Sequence, residues 1–504
     1  MMQTRKAVSV VLTRDADSSD VYVVERSPDL KFFGGYYAFP GGTLDNEDSL
    51  KQVEIKNATS LPEADRPYIV AAVREVFEET GLLLSRGEKA ISAEDLSRYR
   101  RQLLKDEIPF GDILQKERQV IDAADFHFIC SIVTPKFAPV RYDTQFYWVE
   151  IPASQSPEIW PGELMRGEFC TAAEALLRWK KGDMLIVPPV IFMMQELVGR
   201  TIRKCVPFIA EYAEAYRKGK IHQVYFSPGV QLIPLQTRTI FPATHTNTYL
   251  VGESELYLVD PAPADLTEQT RLWDYLDDQL TEGRQLRGIL LTHHHSDHVG
   301  ALRACLNRYN LPLMAHSATV DKLSEFQFTG YLNHGDEIEL GTAPDGQAGW
   351  KLQVYHTPGH AAGHLSFRES RYGALLVGDM ISTLSTIVIS PPEGHMATYL
   401  QSLQMLLSLP AGMLYPGHGS AVRNSQKVIQ YYLHHRSERE QKLLRALTRQ
   451  PQSSQELVRK VYDDVEAVVW PLAEHSLKAG LIKLIEEGKC QQIDDGYQLS
   501  TIGI

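Results

Sequence analysis

The stretch Leu291-Thr-His-His-His-Ser-Asp-His-Val-Gly300 decides how the chain reads. A short apolar run, 288–291, precedes it and predicts a buried strand, and a helical pattern over 299–309 follows. His293, His295, Asp297 and His298 therefore fall on a turn at a strand end. Four metal-capable side chains within six positions serve no packing purpose. A solvated loop has no reason to space them this way either. Imidazole and carboxylate are the usual nitrogen and oxygen ligands of divalent metals, so the cluster points to a pair of ions.

One turn cannot enclose two ions, and further candidates come downstream in stages. Thr357-Pro-Gly-His360 follows the strand-like 351–355, Gly378-Asp379 follows 374–377, and Tyr415-Pro-Gly-His418 follows 412–414. Each candidate lies just past an apolar run, beside glycine or proline. Ligands delivered from strand ends to one sheet edge make a rigid, shared site. The order HxHxDH, PGH, GD, PGHG resembles the metallo-β-lactamase superfamily. That resemblance implies an αββα sandwich and a hydrolase with two zinc ions. His293, His295 and His360 would hold one ion, and Asp297, His298 and His418 the other, with Asp379 bridging. Asp297 would also orient the nucleophile. His294 and His364 are expected to support the site or lie at its surface, not to bind metal.

Bulk properties set the frame. The chain has 504 residues, enough for two to four domains on a soft prior of roughly 150 residues each. Hydrophobic content of 43% and charged content of 23% are ordinary for a globular protein. A net charge of −12 argues against the whole chain as a polyanion binder. The five cysteines are dispersed, odd in number and never arranged as CxxC, which fits free thiols in a reducing, cytoplasmic setting. The apolar run 7–12 is too short for a signal-peptide core, and no run approaches the ~20 residues that span a bilayer. No membrane association is expected, and no pattern speaks to oligomeric state.

In the first third, 7–13 and 21–24 predict strands joined by the polar turn 14–20. Tyr36-Tyr-Ala-Phe-Pro-Gly-Gly42 is a strand end breaking into glycines. A strong helix follows over 68–80, with Gly81 placed to end it. On it, Glu75, Glu78 and Glu79 share one face. Such a face is either a solvated acidic surface or a set of hard oxygen ligands for Mg²⁺. Ile69, Val73, Val76 and Phe77 form the opposite, apolar face.

Gly42 with Arg74-Glu75-x-x-Glu78-Glu79-x-Gly81-Leu82 resembles the Nudix box of hydrolases that cut nucleoside diphosphates linked to other groups. The back half of the box matches. In the front half Asp48 stands where the family has glutamate, and an insertion within 49–67 separates it from Arg74. Lengthening a loop costs little entropy and leaves the helix it feeds in place. The resemblance implies an α/β/α sandwich, Mg²⁺ or Mn²⁺ on Glu75, Glu78 and Glu79, and catalytic roles for Glu78 and Glu79. Arg74 is read as the positioner of these glutamates. Thr134-Pro135 with Arg141-Tyr-Asp-Thr144 and Phe146 resembles the CoA-diphosphatase-like branch. Arg141 would then bind a substrate phosphate, or else form a plain salt bridge with Asp143.

The organisation expected is a multidomain α+β and α/β chain. A Nudix-like domain spans 1–217, a metallo-β-lactamase-like domain 222–425, and a connecting helix with a winged-helix-like tail 426–504. Helix is read over 171–179 and most of 190–217, with a break at Val187-Pro-Pro189. In the middle, 246–251 and 255–260 predict a hairpin turning at Gly252, and 271–280 an amphipathic helix. Residues 435–440 resemble the connector to a winged-helix tail in an endoribonuclease-like branch. In the tail, Ser453 and Ser454 cap a helix 455–461, and a second helix follows Pro471 and stops at Gly480. Glu487-Gly-Lys489 is read as the wing tip. Residues 451–504 carry five Lys/Arg and nine Asp/Glu, a balance of −4. A surface that tracks phosphates needs the opposite sign, so the tail reads as a packing or dimerisation module.

Three functions compete. A two-site hydrolase would cut an ester, thioester or phosphodiester at one centre and a diphosphate such as a CoA derivative at the other. A single-stranded RNA endonuclease would use the zinc site alone, with the Nudix-like domain as support. A Nudix-like module that binds nucleotide without turnover would regulate its neighbour.

Overall fold

The computed structural model describes residues 4–30, 33–49, 53–136, 138 and 140–500. The chain divides into two compact units, Met1–Pro228 and Gly229–Ile504.

In the first unit, strand Arg5–Thr13 pairs parallel with Tyr142–Glu150, which pairs antiparallel with His127–Val133. A second sheet places Asp20–Arg26 between Tyr37–Ala38 and Leu164–Thr171. The period-2 alternation of the strands builds two cores. Val8, Val10 and Leu12 face one core with Tyr22 and Val24, and Val11, Val21 and Val23 face the other. The first core is closed by helix Arg66–Thr80, whose Ile69, Val73, Val76 and Phe77 are fully buried. The second is closed by helices Ala172–Lys181, Pro188–Leu197 and Ile202–Arg217. This is the expected α/β/α layering. Gly81 ends the Arg66–Thr80 helix in a left-handed conformation, as read from sequence. Pro188 and Pro189 do not mark a break; they open a helix, where a missing N–H and a fixed φ cost nothing. Of the insertion within 49–67, residues 50–52 lie outside the described residues; the rest forms short turns and one strand, Ile55–Lys56, beside Gln119–Asp122.

In the second unit two sheets face each other. The first runs Val230–Gln236, His245–Gly252, Glu255–Val259, Gln285–Leu290, Leu313–Ala315 and Gly330–Tyr331 in spatial order. The second runs Glu337–Gly341, Trp350–His356, Leu365–Glu369, Leu375–Ser382 and Leu414–His418. Helix Leu266–Thr281 packs against strands Val230–Gln236 and Gln285–Leu290 of the first sheet. Helix Met396–Ser408 buries Tyr399, Leu403 and Leu406 against Leu375 and Val377 of the second. This is the αββα sandwich. The tail contains helices Ser454–Val461 and Trp470–Glu486 and a hairpin, Cys490–Ile493 with Gly496–Leu499. Ser453 caps the first of these helices in a reciprocal box with Glu456.

Several expectations change. The pattern over 299–309 is two short helices, Ser296–Val299 and Leu302–Tyr309. Between them Gly300 lies so close to the 262–264 backbone that a Cβ would meet Ala262 O at 2.6 Å. Helix Trp470–Glu486 does not stop at Gly480 but runs through it, with Leu443 packed 3.4 Å from where a Cβ would stand. The wing turns at Asp494-Asp495, not at Glu487-Gly-Lys489, because Asp494 takes the left-handed conformation a tight hairpin needs. Among the described residues no helix is long and apolar enough to cross a membrane. All five cysteines are free and buried, and burial pushes the Cys130, Cys170 and Cys305 thiols up to about 12.

The loop that carries His360 depends on one backbone approach. Gly359 has φ +133°, and a Cβ there would lie 2.3 Å from Tyr399 Cα. Overpacking of this kind costs about 1–3 kcal/mol. Gly359→Ala is expected to lower stability by that order in urea unfolding and, because the loop must shift, to reduce bound transition metal in the purified protein.

Candidate active sites

Histidine rings from separate loops converge at the edge of the sandwich, and their outer contacts decide which way their lone pairs point. His360 Nδ1 donates to Val388 O at 3.0 Å, and His418 Nδ1 to His245 O at 2.9 Å. A carbonyl only accepts, so each ring is protonated at Nδ1 and turns its Nε2 inward. His298 Nδ1 donates to Asp260 Oδ2 at 2.8 Å. Thr292 Oγ1 gives its proton to the same oxygen at 2.6 Å, so it accepts from His293 Nδ1 at 2.9 Å. All four Nε2 atoms thus point into one space, and those of His293 and His360, which burial keeps neutral, present lone pairs there.

Lone pairs repel unless a cation lies among them. His295 Nδ1 sits 3.1 Å from His293 Nε2 and 3.0 Å from His360 Nε2. Nitrogens at 2.0–2.1 Å from a tetrahedral zinc are about 3.3 Å apart, close to these separations. Asp379 stands between two groups. Its Oδ2 is 3.5 Å from His360 Nε2, and its Oδ1 is 3.3 Å from both His298 Nε2 and His418 Nε2. Asp297 Oδ2 lies 3.6 Å from His418 Nε2. Asp379 Oδ1 and His298 Nε2 are buried with no hydrogen bond. Two such orphans side by side are what a metal ion would satisfy. Every ligand expected from sequence is present, in two groups: His293, His295, His360, Asp379 and Asp297, His298, His418.

The electrostatics agree. Burial holds His293 well below its ordinary range and brings His360 down to about 4, so both are neutral at physiological pH. Burial also opposes charge on His298 and His418, but Asp379 outweighs it and raises both. Burial would raise Asp379 in turn, yet His418 and His298 hold it well below the carboxylate range. His364 supports this as expected: its Nε2 accepts from the Asp379 backbone N–H at 3.1 Å, and its Nδ1 meets Thr357 Oγ1 at 2.8 Å. His294 stands beside the site: its Nε2 is 3.0 Å from Glu393, and its ring meets that of His295 edge-on with centroids 5.0 Å apart.

Asp379 and His418 lie within strands Leu375–Ser382 and Leu414–His418, not past their ends. A register shift across Gly378 turns the strand toward the metal edge. Asp260 is a functional residue the motif reading passed over. It takes a left-handed conformation with φ 51° at a strand end, and it joins Thr292 and His298 through both oxygens. A lone aspartate 32 positions before Thr292 has no local signature.

In the first unit, Arg74 is the positioner expected. Its Nε and one Nη form a fork on Asp48, both at 2.9 Å, and the same Nη reaches Thr43 O. The other Nη reaches Glu75 Oε1 at 3.0 Å and Glu78 Oε2 at 3.2 Å. Asp48 is therefore a buried anchor for the arginine despite the insertion. Glu79 turns from the other two, its Oε2 accepting from Gly41 N at 2.9 Å. Glu75 packs so tightly on Gly42 that a Cβ there would lie 2.3 Å from Oε2. Burial pushes the Glu75 carboxyl up to about 7 and Glu79 up to about 8, and raises Glu78. Buried acids that resist charge are a ready place for a divalent cation. Arg100, unremarked in the sequence, is buried and donates to Glu78 O at 2.9 Å and Glu79 O at 2.8 Å, closing the helix end beneath the glutamates. Among the described residues no ion pair joins Arg141 to them. Its Nε donates to Thr134 O at 3.0 Å, and Asp143 accepts from Ser131 Oγ instead.

Two buried constellations of ligand side chains on these two folds define a metal-dependent hydrolase. The chain belongs to the metallo-beta-lactamase superfamily: that family model matches residues 241–418, a NUDIX domain model matches 3–108, and a beta-lactamase associated winged helix domain model matches 453–498. It is similar to Beta-lactamase-like protein 2 homolog of Drosophila melanogaster, 30% identical over 254 residues that make up 48% of this chain and 83% of that protein. It is also similar to Lactamase-like protein vrtG of Penicillium aethiopicum, 30% identical over 304 residues, 53% of this chain and 91% of that one. Among solved structures, a NUDIX hydrolase from Alicyclobacillus acidocaldarius is 25% identical, with 42% of this chain and 98% of that chain covered and a TM-score of 0.36.

The raised glutamates fix a pH dependence. An acid whose folded pKa exceeds its unfolded value, about 4.3, binds its proton more tightly when folded. Stability from Glu75 and Glu79 is therefore complete below about pH 4 and declines as pH rises through about 7 to 8. Metal-free protein is expected to lose urea resistance in its first unit between pH 5 and 8. Glu79→Gln flattens that loss, and added Mg²⁺ offsets it in the native protein but less in the variant.

Proposed function

We propose that the protein is a two-centre hydrolase of small molecules. The second unit carries a binuclear zinc site that cuts an ester or thioester, and the first a Mg²⁺- or Mn²⁺-dependent site that cuts a diphosphate such as a CoA derivative. The observation that carries the binuclear reading is Asp379, with one oxygen toward each ligand group and one of them orphaned in the interior.

Ions held there supply a water acidified to a pKa near 7 and a Lewis acid for a carbonyl oxygen. The chain does the rest. Asp260, Val388 O and His245 O fix the ring orientations. Asp297 receives no hydrogen bond on either oxygen among the described residues, which leaves one oxygen to take a proton from the attacking water. At the other centre Arg74 holds Glu75 and Glu78 in place, and Glu79, elevated by burial, is suited to proton transfer near neutral pH. Glu78 would help to hold a divalent cation, which would supply a charge for diphosphate oxygens. Arg141, near the end of its strand, is the candidate for a phosphate oxygen.

A carbonyl substrate is favoured over RNA at the zinc site. Glu393 stands 3.6 Å from His295 Nε2 at the edge of the site, and its carboxylate repels a phosphodiester backbone. The net charge of −12 and the acidic tail add to this. Free buried thiols suit a cytoplasmic setting.

Purified protein is expected to hold two transition-metal ions and to release CoA from a panel of acyl-CoA thioesters. His293→Ala reduces that release to background and leaves diphosphate cleavage unchanged, whereas Glu78→Gln does the reverse. Cleavage of unstructured RNA, lost in His293→Ala, with no thioester turnover would replace this reading with the nuclease.

Metal uptake offers a second check. His298 and His418 are raised above their ordinary values when metal is absent, so zinc must displace protons. Addition of zinc to metal-free protein near pH 7 in weak buffer is expected to acidify the solution, and His418→Ala to release fewer protons.

A further inference from the structure

Residues 383–395 join the strand that carries Asp379 to helix Met396–Ser408. Two of them serve metal ligands. Val388 O fixes His360, and Glu393 faces His295 Nε2 and His294 Nε2. The last of them, His395, donates its backbone N–H to Gly359 O at 2.8 Å, beside His360. The orientation of two ligands for one ion thus rests on this one segment.

The segment has little regular structure of its own, and the tail holds it. Ser476 Oγ accepts from Ile389 N at 3.1 Å in the interior, one residue from Val388. His475 Nδ1 lies 2.9 Å from Ser390 Oγ. Glu486 meets His395 Nε2 at 2.9 and 3.2 Å. All three tail residues lie on helix Trp470–Glu486. The connecting helix Ser425–Ala446 secures the start of the segment: Tyr432 OH donates to Ser385 O at 2.8 Å, and Arg436 donates to Ile387 O. The contacts lie on either side of Val388 and Glu393 and leave both free to face the metal ligands.

We infer that the winged-helix tail is a positioning element of the zinc site: through Ser476, His475 and Glu486 it fixes the segment 383–395, and through that segment the rings of His360 and His295. The tail's acidic balance fits this role, since it needs no nucleic acid. Partners of metal ligands typically contribute about 10–100-fold to metal affinity, and here some of those partners are in turn held by another module. The inference rests on His295 and His360 binding metal, as proposed above.

The test uses full-length protein and zinc alone, with a competing chelator, and the visible absorption of cobalt-loaded protein as a second readout. Ser476→Ala and Glu486→Gln are expected to weaken one of the two ions by about 10-fold or more and to alter the cobalt spectrum. Ser453→Ala, which removes the cap of the other tail helix and touches no part of 383–395, controls for loosening of the tail. It is expected to lower thermal stability but leave affinity and spectrum native. Native metal binding in both Ser476→Ala and Glu486→Gln overturns the inference and leaves the binuclear reading intact. A loss in Ser453→Ala equal to theirs overturns it as well, by showing a general effect of tail stability. Native protein that binds no transition metal overturns both readings.

Discussion

One buried carboxylate governs the second unit. Asp379 is nearly inaccessible, yet it remains charged because imidazoles stand on both sides of it. A charge in that position is tolerable only if its surroundings are fixed, and the architecture fixes them. The register shift at Gly378 aims the carboxylate, His364 holds its backbone N–H, and Asp260 orients a ring that faces it. The two sheets can be viewed as a frame that delivers lone pairs to this one group from several loops. None of the loops could do so alone.

The first unit solves a related problem with opposite signs. There the carboxylates are in excess, and one guanidinium, Arg74, serves Asp48, Glu75 and Glu78. The fork on Asp48 costs the arginine its freedom and leaves its remaining Nη to the glutamates. Glu79 accepts a backbone N–H from Gly41, and burial together with the neighbouring Glu75 raises it to about 8. One unit gathers imidazoles around a carboxylate, and the other gathers carboxylates around a guanidinium.

The candidate metal ligands were legible because they are signalled locally. His293 to His298 fall within one turn, and His360 and His418 each follow Pro-Gly. The glutamate helix was legible for the same reason, from its 3.6-residue period. What escaped the sequence is non-local or depends on a neighbour. Asp260 has no meaning until Thr292 and His298 stand beside it. Glu393 is one acid in a polar loop until two histidines face it. Gly480 reads as a helix terminator, but Leu443 packs against it and the helix continues. Glu487-Gly-Lys489 has the composition of a wing tip, while the true turn uses Asp494, a residue able to adopt positive φ without being glycine.

The ligand set of the second unit contains imidazoles and carboxylates but no thiolate, and the chain's cysteines are buried with suppressed ionisation. A metal held by this set would have no sulfur ligand for an oxidant to attack, so oxidation of the cysteines would not release it. Acid and chelators, which compete for the same lone pairs, would.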